Sequence, residues 1–93
     1  MAIGIYVTPA GFTPEKYDTV LAQLEAAGAG APAGRLYHCA LESEGLVQVF
    51  DVWESQEAFD AFGATLIPIM AGIGVTVDPS VAHVSPVRNT ILG

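Results

Sequence analysis

The chain has 93 residues, 52% hydrophobic and 14% charged, with a formal net charge of −7 at pH 7. That length fits one domain rather than two separately cored ones. The only cations, Lys16, Arg35 and Arg88, supply no basic stripe for phosphates, which argues against nucleic acid and anionic membrane surfaces as partners.

Residues 2 to 8 alternate, with Ile3, Ile5 and Val7 on one side and Gly4, Tyr6 and Thr8 on the other, which is the period of a strand. Pro9 and Gly11 end it. Thr13-Pro14-Glu15 then reads as a helix cap, a first-turn proline and a carboxylate at the positive helix end. Tyr17, Val20, Leu21, Leu24, Ala27 and Gly28 form the inward stripe of that helix. The exit, Ala27 to Gly34, is rich in Gly, Ala and Pro and is expected to be the most flexible segment. Residues 35 to 42 and 46 to 54 form a hairpin around Ser43-Glu44-Gly45. Ser55 caps a second helix carrying Phe59, Phe62, Leu66, Met70 and Ile73, which Gly63 and Pro68 should kink or split in two. A last strand lies between Val75 and Val87, after an Asp78-Pro79 turn.

The order βαββαβ predicts an α+β, ferredoxin-like domain spanning residues 1–93. Its four-stranded antiparallel sheet has strand order 4-1-3-2 and both helices on one face. In the third strand Val47, Val49 and Trp53 point one way and Leu46, Phe50 and Val52 the other, so both faces are apolar. An antiparallel sheet usually leaves one face to water. A domain this short buries only about 60 to 65% of its unfolded surface, so a second copy is the simplest cover for the other face.

The longest nearly apolar stretch, Leu66 to Val77, is shorter than the about 20 residues of a membrane span and contains Pro68, Gly72 and Gly74. Met1-Ala2-Ile3-Gly4 carries no basic region of a secretory signal, which predicts a cytoplasmic protein. Cys39 is alone, so no internal disulfide or multi-thiolate zinc site is expected.

The pattern Tyr17-Asp18-x-Val20, Pro32-x-Gly34, His38, Gly45 and Asp51-Val52-Trp53-Glu54-Ser55-Gln56-Glu57-Ala58-Phe59-Asp60-x-Phe62 resembles small dimeric α/β-barrel proteins of the antibiotic-biosynthesis-monooxygenase-like type. The resemblance implies a homodimer built on a shared barrel, with a small pocket between each sheet and its helices. Members of that superfamily include cofactor-free monooxygenases of polycyclic phenols, isomerases, polyketide cyclases, haem enzymes and proteins without a known ligand. Quinol-oxidising relatives often carry a histidine near the position of Phe62-Gly63, and cyclase-type relatives use a Tyr and a His there. This chain has neither, so neither catalytic set carries over.

Asp51 is the odd carboxylate in the row of Val47, Val49 and Trp53, which by the family's geometry faces the pocket. A two-residue turn at Glu44-Gly45 sets position 38 opposite position 51, a four-residue loop makes them diagonal neighbours, and a three-residue loop separates them onto opposite faces. His38 and Asp51 on one face would form a general base, the carboxylate orienting the imidazole. The competing reading is that the two satisfy each other or nearby backbone and only fix strand register. Trp53, Val49, Tyr17, Phe59 and Phe62 are the candidate substrate-binding residues. Trp53, Tyr6, Tyr37, Phe59 and Phe62 are aromatics able to stack on a ligand, or simply to form core. His83 enters catalysis only if its row, with Val81, Ser85 and Val87, faces the pocket.

No metal site is expected, because His38, His83 and Asp51 lack the spacing of a local ligand motif. Gly28-x-Gly30-x-x-x-Gly34 follows a helix and lacks the dinucleotide spacing, so no nucleotide cofactor is expected. Cys39 alternates away from His38 and does not form a Cys-His pair. Two functions remain open. One is a cofactor-independent monooxygenase-like or cyclase-like enzyme acting on a small apolar aromatic or polyketide-type molecule, with Asp51 and His38 handling protons. The other is a non-catalytic homodimeric module that binds a small ligand or stabilises a partner. Titratable groups converging on an open pocket would favour the first; groups bonded only to backbone would favour the second.

Overall fold

A computed structural model describes residues 1–78 and 80–93. The elements follow in the order β1 (Ile3–Val7), α1 (Pro14–Ala26), β2 (Arg35–Ser43), β3 (Leu46–Trp53), α2 (Gln56–Gly72) and β4 (Ala82–Pro86). The strands form one antiparallel sheet in the order β2-β3-β1-β4, the expected order read from the opposite edge. Pro79, and with it part of the expected Asp78-Pro79 turn, lies outside the described residues.

Each helix starts as its sequence dictates. The Thr13 hydroxyl accepts from the Lys16 amide with Pro14 in the first turn, and the Ser55 hydroxyl accepts from the Ala58 amide. Each cap satisfies an amide that has no partner within the helix. Val20 and Leu24 of α1 are buried, whereas Leu21, Ala27 and Gly28 of the expected stripe are exposed. The expectation that Gly63 and Pro68 split α2 is not met, since one helix runs from Gln56 to Gly72 with Pro68 inside it. The face carrying Phe62 and Met70 is buried. Packing of that face outweighs the lost hydrogen bond at the proline, as tertiary contacts commonly outweigh local propensity.

The hairpin turn is the two-residue form, with Glu44 and Gly45 both at positive φ (54° and 77°). Positive φ at both central residues matches a type I′ turn, whose twist suits the flanking strands. It sets Ser43 opposite Leu46 and His38 opposite Asp51. Ile3, Ile5, Val47 and Trp53 thus join Phe12, Val20, Leu24, Phe62, Met70 and Val75 in the core under the helices. Gly34 is required at the start of β2. Its φ is +87°, and a Cβ there would come within 2.6 Å of the Ala58 Cβ. Close approach of this kind is where glycine is irreplaceable.

The segment expected to be most flexible, Ala27 to Gly34, is held by several hydrogen bonds. The Gly28 and Ala29 amides donate to the Glu25 and Leu24 carbonyls, and Arg35 reaches back to the Gly30 carbonyl. Among the described residues no helix is long and apolar enough to cross a membrane.

Candidate functional site

The site grows out of the register of β2 and β3. Asp51 pairs with Ile5 on one side and His38 on the other, so His38, Asp51 and the β1 row of Ile3, Ile5 and Val7 share the helix-side face. Asp51 is the one buried charged residue among the described residues. Its Oδ1 lies 2.6 Å from His38 Nδ1, and its Oδ2 accepts from the Trp53 indole N–H at 3.3 Å. An ionised carboxylate only accepts, so it fixes the proton of the neutral imidazole on Nδ1 and leaves Nε2 as the acceptor. Tyr17, brought in by the inward face of α1, stands 2.7 Å from that nitrogen and donates its hydroxyl to it. The two rings are parallel to within 1°.

Tyr17, His38 and Asp51 are therefore one hydrogen-bonded chain, and the two sequence-derived catalytic candidates are in direct contact. Tyr17 enters as a member of that chain as well as a wall residue. Its helix phase puts it inside, but nothing local in the sequence says that it meets His38. Burial, followed by the negative charge of Asp51, raises the Tyr17 phenol above its ordinary value, since both disfavour the phenolate. Tyr17 thus remains a neutral hydroxyl that can pass a proton on.

The chain opens onto a cavity of about 100 Å³ lined by Tyr17, His38 and Asp51 together with Phe12, Val49, Phe59, Phe62, Leu66 and Arg35. Of the residues singled out in the sequence for substrate binding, Val49, Tyr17, Phe59 and Phe62 line this cavity. Trp53 does not. It is fully buried, packed against Phe59 and Phe62 at ring distances of 5.6 and 5.1 Å, and absent from the cavity wall. The alternation that pointed it inward says nothing of depth. Its visible contribution is the N–H that holds Asp51.

Tyr6, Tyr37 and Cys39 lie on the opposite face of the sheet, along a separate groove. His83 pairs with Tyr6 and shares that outer face, away from the cavity. Among the described residues no group of three or more His, Cys, Asp or Glu side chains is placed to hold a metal ion. Arg35 was missed as a cavity residue. Simple alternation from His38 sends position 35 to the outer face, but an irregularity in the β2–β3 register between Arg35 and Tyr37 sets Arg35 opposite Trp53. This places it on the helix side.

No family model matches the chain, and no curated protein matches it in sequence. Among solved structures, SnoaB, a cofactor-independent oxygenase from Streptomyces nogalater, superposes with a TM-score of 0.60 at 20% identity, covering 97% of this chain and 94% of that one. A candidate antibiotic biosynthesis monooxygenase from Chloroflexus aurantiacus J-10-fl gives a TM-score of 0.60 at 21% identity over 100% of both chains. Rv0793 from Mycobacterium tuberculosis gives 0.56 at 19% identity over 97% of each. The chain therefore has the ferredoxin-like fold of antibiotic-biosynthesis-monooxygenase-like proteins. At these identities the likeness extends to the fold and not to the reaction.

Proposed function

Proceeding from that fold and site, we propose that the chain is a cofactor-independent enzyme that removes a proton from a small aromatic or polyketide-type molecule. This is the opening step common to monooxygenase-like and cyclase-like chemistry. The observation that carries the reading is the Tyr17–His38–Asp51 chain ending on an apolar cavity. The substrate gives its proton to the Tyr17 oxygen as Tyr17 passes its own to His38 Nε2, and Asp51 stabilises the imidazolium that forms. The His38–Asp51 bond by itself also fits the reading in which the pair only fixes strand register; what favours the enzyme over the non-catalytic module is the further link to Tyr17 and the cavity on which it ends.

Cavity size limits the substrate. An apolar cavity of about 150 Å³ accommodates benzene, so about 100 Å³ takes a single ring only when a rim side chain such as the half-exposed Leu21 turns aside. A polycyclic phenol does not enter it as it stands. The test is conversion of a panel of single-ring phenols, hydroquinones and short polyketide-type diketones in air, followed by mass spectrometry and dioxygen uptake. At least one member should be turned over, and His38→Gln should lower that rate about 10²- to 10⁴-fold. Wild-type protein that converts none, or a His38→Gln variant as fast as wild type, refutes the reading.

The outer face supports a homodimer as the working form. Tyr6, Tyr37, Leu41, Leu46 and Phe50 are 37 to 51% exposed there. All but Leu46 line a groove of about 740 Å³ that the chain end from Asn89 to Gly93 borders. Ile91 and Leu92 of that end are 79% and 74% exposed. A second copy would cover this surface by self-complementary pairing, the commonest closed symmetry. Sedimentation at micromolar protein should give twice 9.7 kDa, and Phe50→Glu should shift the species toward 9.7 kDa. Wild-type protein that sediments as a monomer removes the dimer.

A further inference from the structure

Arg35 is one of three Lys and Arg residues in a chain of net charge −7, and it is the one that lines the cavity. Its position depends on a departure from regular strand geometry. Between Arg35 and Tyr37 the β2 register advances two residues while β3 advances from Trp53 to Val52. One extra residue is thereby accommodated, and positions 35 and 38, which alternation would set on opposite faces, share the helix side. Bulges of this kind re-aim a side chain and are over-represented beside active sites.

Among the described residues, most of the guanidinium's donors are uncommitted. One arm, Nη2, donates to the Gly30 carbonyl at 3.2 Å, and the guanidinium carbon lies 6.0 Å from the centre of the Phe62 ring. These contacts fix its place in the wall. Among the described residues the ion pair formed is His38 with Asp51, and no carboxylate lies within 4.0 Å of Arg35. A half-buried cation has lost part of its hydration, and a hydrogen-bonded anion restores that interaction best, with the planar fork matching two oxygens at once. The remaining wall is largely apolar and aromatic, with Phe12, Phe59 and Phe62 in it.

We infer that the cavity takes small planar acids, aromatic or enolic, whose negatively charged oxygen, carboxylate or phenolate, pairs with Arg35. The inference deepens the proposed function by naming the substrate class, and it rests on the reading of this cavity as the substrate site. Arg35 holds the anionic end while the Tyr17–His38 pair meets the proton to be removed. The strongly negative chain otherwise repels anions, so affinity for them depends on this local charge and weakens with salt.

The experiment is equilibrium binding to full-length protein, followed by calorimetry and by amide chemical shifts. Benzoate is compared with neutral benzamide, and para-nitrophenolate with nitrobenzene. At least one anion should bind about tenfold or more tightly than its neutral counterpart, a difference of about 1.4 kcal/mol, with shifts at Arg35, His38 and Phe62. The arm that shows the preference identifies carboxylate or phenolate as the recognised oxygen. Arg35→Met should abolish the preference. Arg35→Gln, which keeps a neutral amide donor on a shorter side chain, should abolish it too while the amide shifts of β2 and of the linker before it stay in place, so that a structural role in the linker cannot account for the loss. His38→Gln should keep the preference while losing turnover, which separates failure of anion recognition from failure of proton transfer. Equal affinity for charged and neutral probes, no saturable binding of either anion, or a preference that survives both Arg35 variants overturns the inference.

Discussion

Asparagine in place of Asp51 is expected to abolish nearly all turnover while leaving the chain folded. The exchange conserves volume but turns one of two acceptors into a donor. In the wild-type site both neighbours donate to the carboxylate, His38 through Nδ1 and Trp53 through its indole N–H. Trp53 can only donate, so the single carbonyl oxygen of the substituted side chain goes to Trp53 and its amide turns to His38. The imidazole must then offer a lone pair at Nδ1, and its proton moves to Nε2. That nitrogen now donates to Tyr17, which leaves no base at the cavity end of the chain. Imposing the wrong tautomer on a carboxylate-held catalytic histidine costs on the order of 10⁴-fold in rate. The opposite amide orientation would leave two buried donors unsatisfied or clashing, at about 1 to 3 kcal/mol each, and is disfavoured. Imidazole nitrogen shifts measured by NMR should show the proton on Nδ1 in the wild type and on Nε2 in Asp51→Asn. A variant that keeps the Nδ1 proton, or that turns over at the wild-type rate, contradicts this account of the site.

How far the site can be read in advance differs from residue to residue. His38 and Asp51 are legible because strand alternation has a period of two and the turn at Glu44-Gly45 offers few lengths. The ambiguity lay in Glu44, which is not a residue type favoured at positive φ and yet adopts it. Tyr17 is legible as inward-facing from its helix phase. Its partner is not, because which strand residue a helix side chain meets is decided by the packing of α1 on the sheet. Trp53 misled for the same reason in reverse. Its face was right, but complete burial between Phe59, Phe62 and Asp51 is a tertiary outcome. Arg35 was hidden by the register shift beside it, which no Gly or Pro at positions 35 to 37 signals. The fold was readable as a whole because the element order and both apolar faces of β3 agree with one architecture, and that agreement outweighs the local break expected at Pro68.

The largest effect on stability should come from Trp53→Ala. Removing a fully buried indole leaves a cavity that its neighbours fill only in part, at about 3 to 5 kcal/mol for Trp or Phe to Ala. A domain of 93 residues has a total stability of about 5 to 14 kcal/mol at roughly 0.05 to 0.15 kcal/mol per residue, so this loss leaves the variant at the margin of folding. Trp53→Phe separates the two functions of the side chain. It keeps an aromatic ring against Phe59 and Phe62 but removes the N–H, leaving Asp51 Oδ2 without its donor, and should cost about 1 to 3 kcal/mol. Urea unfolding at one fixed protein concentration gives both numbers, the concentration being fixed because a dimer is stabilised by mass action. If Trp53→Phe is as damaging as Trp53→Ala, the hydrogen bond to Asp51 rather than ring packing dominates. If Trp53→Phe is neutral in stability and leaves the His38 tautomer unchanged, His38 alone positions the carboxylate and the indole has no part in the site. The expected intermediate result makes one residue responsible both for closing the core and for aiming the carboxylate buried within it.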